Sequence, residues 1–153
     1  MESKPSKTRI AAIDFGLARI GIALSDERKI IASSLGMIQA ERTTPLSAKK
    51  VAEALLSHSL EVIIVGMPLH MNGKKGFLAD EVTLFIAHLK ELVKVDVLPW
   101  DERLSTVQAE RSLREGNMSR KKRAQVVDGV AATILLQSFL DSRHIEAERA
   151  LLN

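Results

Sequence analysis

RIAAIDFGLARIGIALSD, residues 9–26, reads as two apolar strands joined by a short turn, with one carboxylate, Asp14, closing the first strand. Residues 10–13 are continuously apolar and few, the pattern of a strand covered on both faces. A buried carboxylate is costly unless a cation or hydrogen-bond donors meet it. The rest of the chain must supply what meets Asp14.

Gly16 and Gly21 flank the second strand, 19–25, and Asp26, Glu27 and Arg28 supply a polar turn before a third strand around 30–38. Three strands at this spacing predict an antiparallel meander. Thr44 followed by Pro45 is a helix start, a capping hydroxyl with proline at the first helical position. Ala48, Val51, Ala52, Leu55 and Leu56 then recur at helical spacing, with an end expected near His58. A buried strand at 61–65 ends in Gly66, and 67–76 reads as a loop containing Gly and Lys.

Leu78, Val82, Phe85, Ile86, Leu89 and Leu92 mark a second, one-faced helix, and 95–99 a fifth strand from which Trp100, Asp101, Glu102 and Arg103 emerge. Ser105 with Gln108 has capping-box form and opens a further helix closed by Gly116 and Asn117; Ser119 can cap the last helix. Residues 126–140 are apolar nearly all round, which predicts burial against the sheet. The order predicts an α/β fold. Its mixed five-stranded sheet has three antiparallel strands and then parallel ones, with right-handed crossovers and helices on both faces.

At 153 residues one domain is expected, spanning 9–145 between a polar, disordered lead-in at 1–8 and a tail at 146–153. The lead-in MESKPSKT has no signal-peptide apolar region, and no apolar run approaches the roughly 18 residues that cross a bilayer. There is no cysteine, which excludes disulfides, cysteine nucleophiles and thiolate metal sites, and fits a cytoplasmic setting. The net charge is only +3, but 103–123 holds seven Lys or Arg against two Glu, so the positive charge is local.

Asp14 and Glu102 both lie at or just past strand ends, where open α/β sheets place their sites. Asp128 interrupts the apolar last helix. It shares a face with Ala124, Ala131 and Ala132, small residues that let the helix approach the sheet and point the acid inward. Three carboxylates without Cys or suitably spaced His suit a hard cation, Mg²⁺ or Mn²⁺. Two such ions about 3.5–4 Å apart can activate water and stabilise the leaving oxygen of a phosphodiester. The nearby basic cluster Arg120, Lys121, Lys122 and Arg123 would hold phosphates.

Blander readings exist for each residue. Asp14 alone could be a turn residue, Glu102 a salt-bridged loop residue beside Asp101 and Arg103, and residues 120–123 a solvated helix start. Asp14-Phe15-Gly16 matches the kinase metal-binding tripeptide, but no Gly-rich loop precedes it. Gly73-Lys74-Lys75 does not complete a phosphate loop.

Taken together, IDFGLARIGIALSD (13–26), IIVGMPLHMNG (63–73), DERLSTVQAE (101–110) and SRKKRAQVVDGVAATILLQSFLD (119–141) resemble the YqgF family, also called RuvX-type or Holliday-junction-resolvase-like. That family belongs to the ribonuclease H-like superfold, and the matching segments span nearly the whole chain in the family's order. The resemblance implies that Asp14, Glu102 and Asp128 form an acidic triad binding Mg²⁺ or Mn²⁺. It also implies an endonuclease that hydrolyses structured nucleic acid and matures the 5′ end of precursor 16S rRNA; attack by metal-held water with the 3′ oxygen leaving predicts a 5′ phosphate product.

Arg103 would then sit beside the metal cluster, and 66–73 would form a loop next to it. Nucleic acid, as structured RNA or branched DNA, is the expected partner, with no membrane; the protein is expected to be a monomer or weak homodimer. The family's Thr and Lys or Arg after the first Asp-x-Gly are replaced by Leu17 and Ala18, with a basic residue only at Arg19. Its Lys before the last Asp is replaced by Ala124 and Gln125, which implies weaker backbone anchoring. Three other readings remain at this point: a DNA junction resolvase, a non-catalytic nucleic-acid-binding module, and a nucleotide-binding protein like the actin-like ATPases.

Overall fold

The computed structural model describes residues 7–68, 76–104 and 129–152. Five strands form one sheet: β1 (Arg9–Phe15), β2 (Arg19–Ser25), β3 (Ala32–Gln39), β4 (Leu60–Met67) and β5 (Asp96–Asp101), in the order β3-β2-β1-β4-β5. β1 pairs antiparallel with β2, and β2 with β3. β4 runs parallel to both β1 and β5. The expected mixed sheet, meander first and crossover strands after, is what the chain builds.

Alternation along β1 divides the molecule in two. Ala11, Ile13 and Phe15 join a core with β4, α1 (Thr44–Leu55) and α2 (Phe77–Leu92) on one face. Ile10 and Ala12 face the other way, into a smaller core with Ala132, Leu135, Leu136 and Leu140 of α3 (Val130–Leu152). On the first face Phe15 and Phe85 approach to 4.7 Å between ring centroids. On the second, Trp100 meets Phe139 edge to face at 5.1 Å.

Gln137 fixes the seat of α3. It is fully buried, accepts the backbone N–H of Ala32 at 2.9 Å, and donates to the Ile30 carbonyl (2.9 Å) and to Asp141 (3.0 Å). A buried amide whose donor and acceptor are both satisfied sets a single register for the helix on the β2–β3 hairpin.

Several boundaries differ from expectation. The cap of α1 is Thr43, whose hydroxyl accepts the Leu46 N–H; Thr44 is already helical and its hydroxyl donates to Glu81 at 2.9 Å. The proline therefore occupies the second position, where a missing N–H is equally harmless. α1 stops at Leu55, short of His58, and β3 begins at Ala32 because Asp26 ties the backbone N–H groups of Ile30 and Ile31 into the turn. β4 extends through Gly66 to Met67. Leu92, expected on the apolar face of α2, is half exposed at the helix end. Ala131 points to solvent; Ala132 is the small residue that meets the sheet. α3 continues to Leu152, with residues 143–152 exposed. The helix expected from Ser105, the start of the last helix from Ser119 to Asp128, and most of the 67–76 loop lie outside the described residues.

Candidate functional site

The site grows from the second face of the sheet at the carboxyl ends of its parallel strands, the end at which open α/β sheets leave room for ligands. Asp14 follows Ala12 on that face, and its pairing partner on β2 is Gly21. The β1–β4 register pairs Ile13 with Val65, which brings Gly66 alongside Asp14 on the other side, and Gly66 in turn pairs with Trp100. A row across three strands thus reads glycine, aspartate, glycine, with Asp14 the one residue of the three that bears a side chain.

The two bare positions admit neighbours. Above Gly21, a built methyl group would lie 3.4 Å from the Ala132 methyl, 3.5 Å from Gly129 Cα and 3.7 Å from Asp14 Cβ. The start of α3 therefore arrives beside Asp14. Gly129 has φ +87°, a left-handed conformation that favours glycine, and a side chain there would strike Ser34. Its carbonyl accepts the Thr133 hydroxyl at 2.9 Å.

From the other side comes Glu102. It opens a 3₁₀ turn (Glu102–Leu104) directly after β5, and Asp101 organises that turn by accepting the Arg103 N–H at 2.9 Å. The Glu102 and Asp14 carboxyls are close enough to share a hydrogen bond when one of them is protonated. Burial pushes the Asp14 carboxyl above its ordinary range, against the opposing pull of that hydrogen bond. Burial first, then the charge of Asp14 and the shared hydrogen bond, push Glu102 up to about 7. Neither acid has a salt-bridge partner among the described residues.

Two half-buried carboxyls pressed together without a cation are a fit for a divalent ion with oxygen ligands. The described residues contain no cluster of three metal-binding side chains. Asp128, the third acid, lies outside them, as do Arg120, Lys121, Lys122 and Arg123. Arg19 is described and exposed at the β1–β2 turn, on the same end of the sheet as Asp14, where it borders an open cleft with Ala18, Met37, Ile38 and Gln39. Arg103 is folded onto Asp101 through its guanidinium, with Nη2 to Oδ2 at 2.7 Å and Nε to Oδ1 at 3.1 Å. It follows Glu102 in the chain, and its guanidinium is engaged by the neighbouring acid.

What the sequence reading missed is the glycine row. A signal existed: a glycine inside a strand pattern marks a close approach, and Gly21 and Gly66 had been read only as strand limits.

A family model described as RuvX, Holliday junction resolvase, matches residues 8–142. The chain belongs to the RuvX family. Two RuvX-like relatives carry the name "Putative pre-16S rRNA nuclease". One, from Protochlamydia amoebophila, is 50% identical over 94% of this chain and 99% of its own length. The other, from Bacillus thuringiensis, is 40% identical over 88% of this chain and 99% of its own. In fold, this RuvX chain is similar to RuvC of T. thermophilus, whose structure was solved in complex with a Holliday junction substrate. The TM-score is 0.59 at 15% identity, over 90% of this chain and 96% of that one. That likeness bears out the ribonuclease H-like architecture.

Proposed function

We propose that this RuvX protein is a divalent-metal-dependent endonuclease that hydrolyses phosphodiester bonds of structured RNA in maturing the 5′ end of precursor 16S rRNA. The observation that carries the reading is the contact between the Asp14 and Glu102 carboxyls, at the carboxyl ends of parallel strands and beside the start of α3. The names of the two relatives support the substrate.

Asp14, Glu102 and Asp128 would hold Mg²⁺ or Mn²⁺; Asp128 enters because it immediately precedes Gly129, which packs over Gly21, the β2 partner of Asp14. A divalent ion bound there supplies an acidified water and offsets the charge that develops on the phosphate. The protein's own part is to keep Glu102, at the β5 end, close to Asp14 on β1; Asp128 would complete the set from just before α3. Arg19, Arg103 and the cluster Arg120, Lys121, Lys122 and Arg123 bind backbone phosphates, which positions the duplex without reading its sequence. On this reading the protein works in the cytoplasm, and it acts as a monomer or weak homodimer.

The test is incubation with precursor 16S rRNA and with a four-way DNA junction, each in Mg²⁺ and in Mn²⁺. Cutting of the RNA to leave a 5′ phosphate supports the proposal. Cutting of the junction alone would make the protein a resolvase, and binding of both without cutting would make it a binding module.

A further inference from the structure

We infer that Gly66 is a positioning residue for Glu102: the side chain missing from β4 at this point is the seat that holds the Glu102 carboxyl beside Asp14. The inference rests on the carboxylate-site reading above and assigns a role to a residue that touches neither metal nor substrate.

A methyl group on Gly66 would lie 2.7 Å from Glu102 Oε1, 3.0 Å from Glu102 Cγ and 3.1 Å from Leu135 Cδ2. The first of these is closer than real Cβ atoms approach any neighbour. The backbone does not explain the glycine, because only Gly36 and Gly129 among the described glycines have positive φ. Nor does the strand: Gly66 follows Val62, Ile63, Ile64 and Val65, all buried, in a segment that favours branched residues, and a glycine there weakens the strand. Space is what remains, and the two atoms nearest to it belong to Glu102.

Leu135 adds a second consequence. It approaches the same bare position from α3, so β4, the turn after β5 and the last helix meet at Gly66. An added methyl would displace the Glu102 carboxyl, the free end of a flexible side chain, more readily than the packed helix. Gly66→Ala is therefore expected to fold and to misplace Glu102.

The experiment is a double-mutant cycle on the full chain, Gly66→Ala with and without Glu102→Gln, reading the melting temperature, precursor RNA binding without divalent ions, Mn²⁺ affinity by electron paramagnetic resonance, and cleavage. Gly66→Ala should remain folded and bind RNA within about twofold of wild type, since no phosphate contact is lost. Its Mn²⁺ affinity should fall about 10- to 100-fold, the range for losing support of a ligand, with kcat falling by at least as much at unchanged KM. In the Glu102→Gln background, adding Gly66→Ala should change Mn²⁺ affinity less than about twofold, because a residue acting through Glu102 has nothing left to act on.

Wild-type Mn²⁺ affinity and cleavage in Gly66→Ala, or the same loss of affinity in both backgrounds, would overturn the inference. If Gly66→Ala does not fold, Leu135→Val clears the helix side and the cycle is read in that background; failure to fold there too would assign the space to the fold and overturn the role. Wild-type cleavage by Glu102→Gln would instead overturn the underlying site reading, whatever Gly66→Ala does.

Discussion

Replacing Glu102 by Gln should make the metal-free protein more stable at alkaline pH while removing its activity. In the folded chain burial and Asp14 hold the Glu102 carboxyl at about 7 against an ordinary 4.5. The folded state therefore binds a proton more tightly than the unfolded one. The favourable contribution is complete below about pH 4.5 and is lost as the pH rises through 7, so stability falls across that window. At about 1.4 kcal/mol per pKa unit the full shift corresponds to some 3 kcal/mol. Water reaches this half-buried group, which reduces the expected effect to about 1–2 kcal/mol.

Gln is close to isosteric, can keep a hydrogen bond to Asp14 and carries no charge. For a domain of this size the gain corresponds to a melting temperature about 2–8 °C higher at pH 8, with little difference at pH 4. Differential scanning calorimetry in chelator, at both pH values, reads it directly. Millimolar Mg²⁺ should raise the wild-type melting temperature at pH 8 and leave Glu102→Gln nearly unmoved, because ligand binding stabilises only the state that binds it. A Glu102→Gln protein that melts at or below wild type at pH 8 would refute the idea that the two carboxyls oppose each other in the free protein.

Two other perturbations separate stability from function. Gln137→Leu leaves the Ala32 N–H and the Ile30 carbonyl without their buried partner and should cost about 1–3 kcal/mol in urea unfolding, with α3 the element that loosens first by hydrogen exchange. Arg103→Ala removes an exposed pair with Asp101 and should change stability by less than about 0.5 kcal/mol. The same change should lower RNA affinity and reduce the slope of log affinity against log salt by about 1, measured by fluorescence anisotropy.

Much of the architecture could be read from the chain because its two hydrophobic periods are clean. The continuous apolar runs at 10–13 and 62–65 announced strands buried on both faces, and Val82, Phe85, Ile86 and Leu89 announced one helix face. Asp14 and Glu102 were recognisable as acids at strand ends, and the fold sets their carboxyls close together across about ninety residues of sequence. Local competition explains the boundary errors: Asp26 captures two backbone donors and delays β3, and Thr43 outcompetes Thr44 as cap. The glycine row escaped because each glycine looks like punctuation in its own strand. Its meaning appears only when the register sets Gly21, Asp14 and Gly66 side by side. Asp101 is legible in the sequence as a salt-bridge partner of Arg103, but not as the acceptor of the Arg103 N–H that shapes the turn.

The central claim is that Asp14 anchors a metal-dependent phosphodiesterase site, and cleavage of precursor 16S rRNA by wild type and by Asp14→Asn, in Mn²⁺, tests it most directly. The account predicts cutting by the wild type and none by Asp14→Asn, with RNA binding by the variant within about twofold of wild type because its phosphate-binding side chains are untouched. Cutting by Asp14→Asn at the wild-type rate would contradict it.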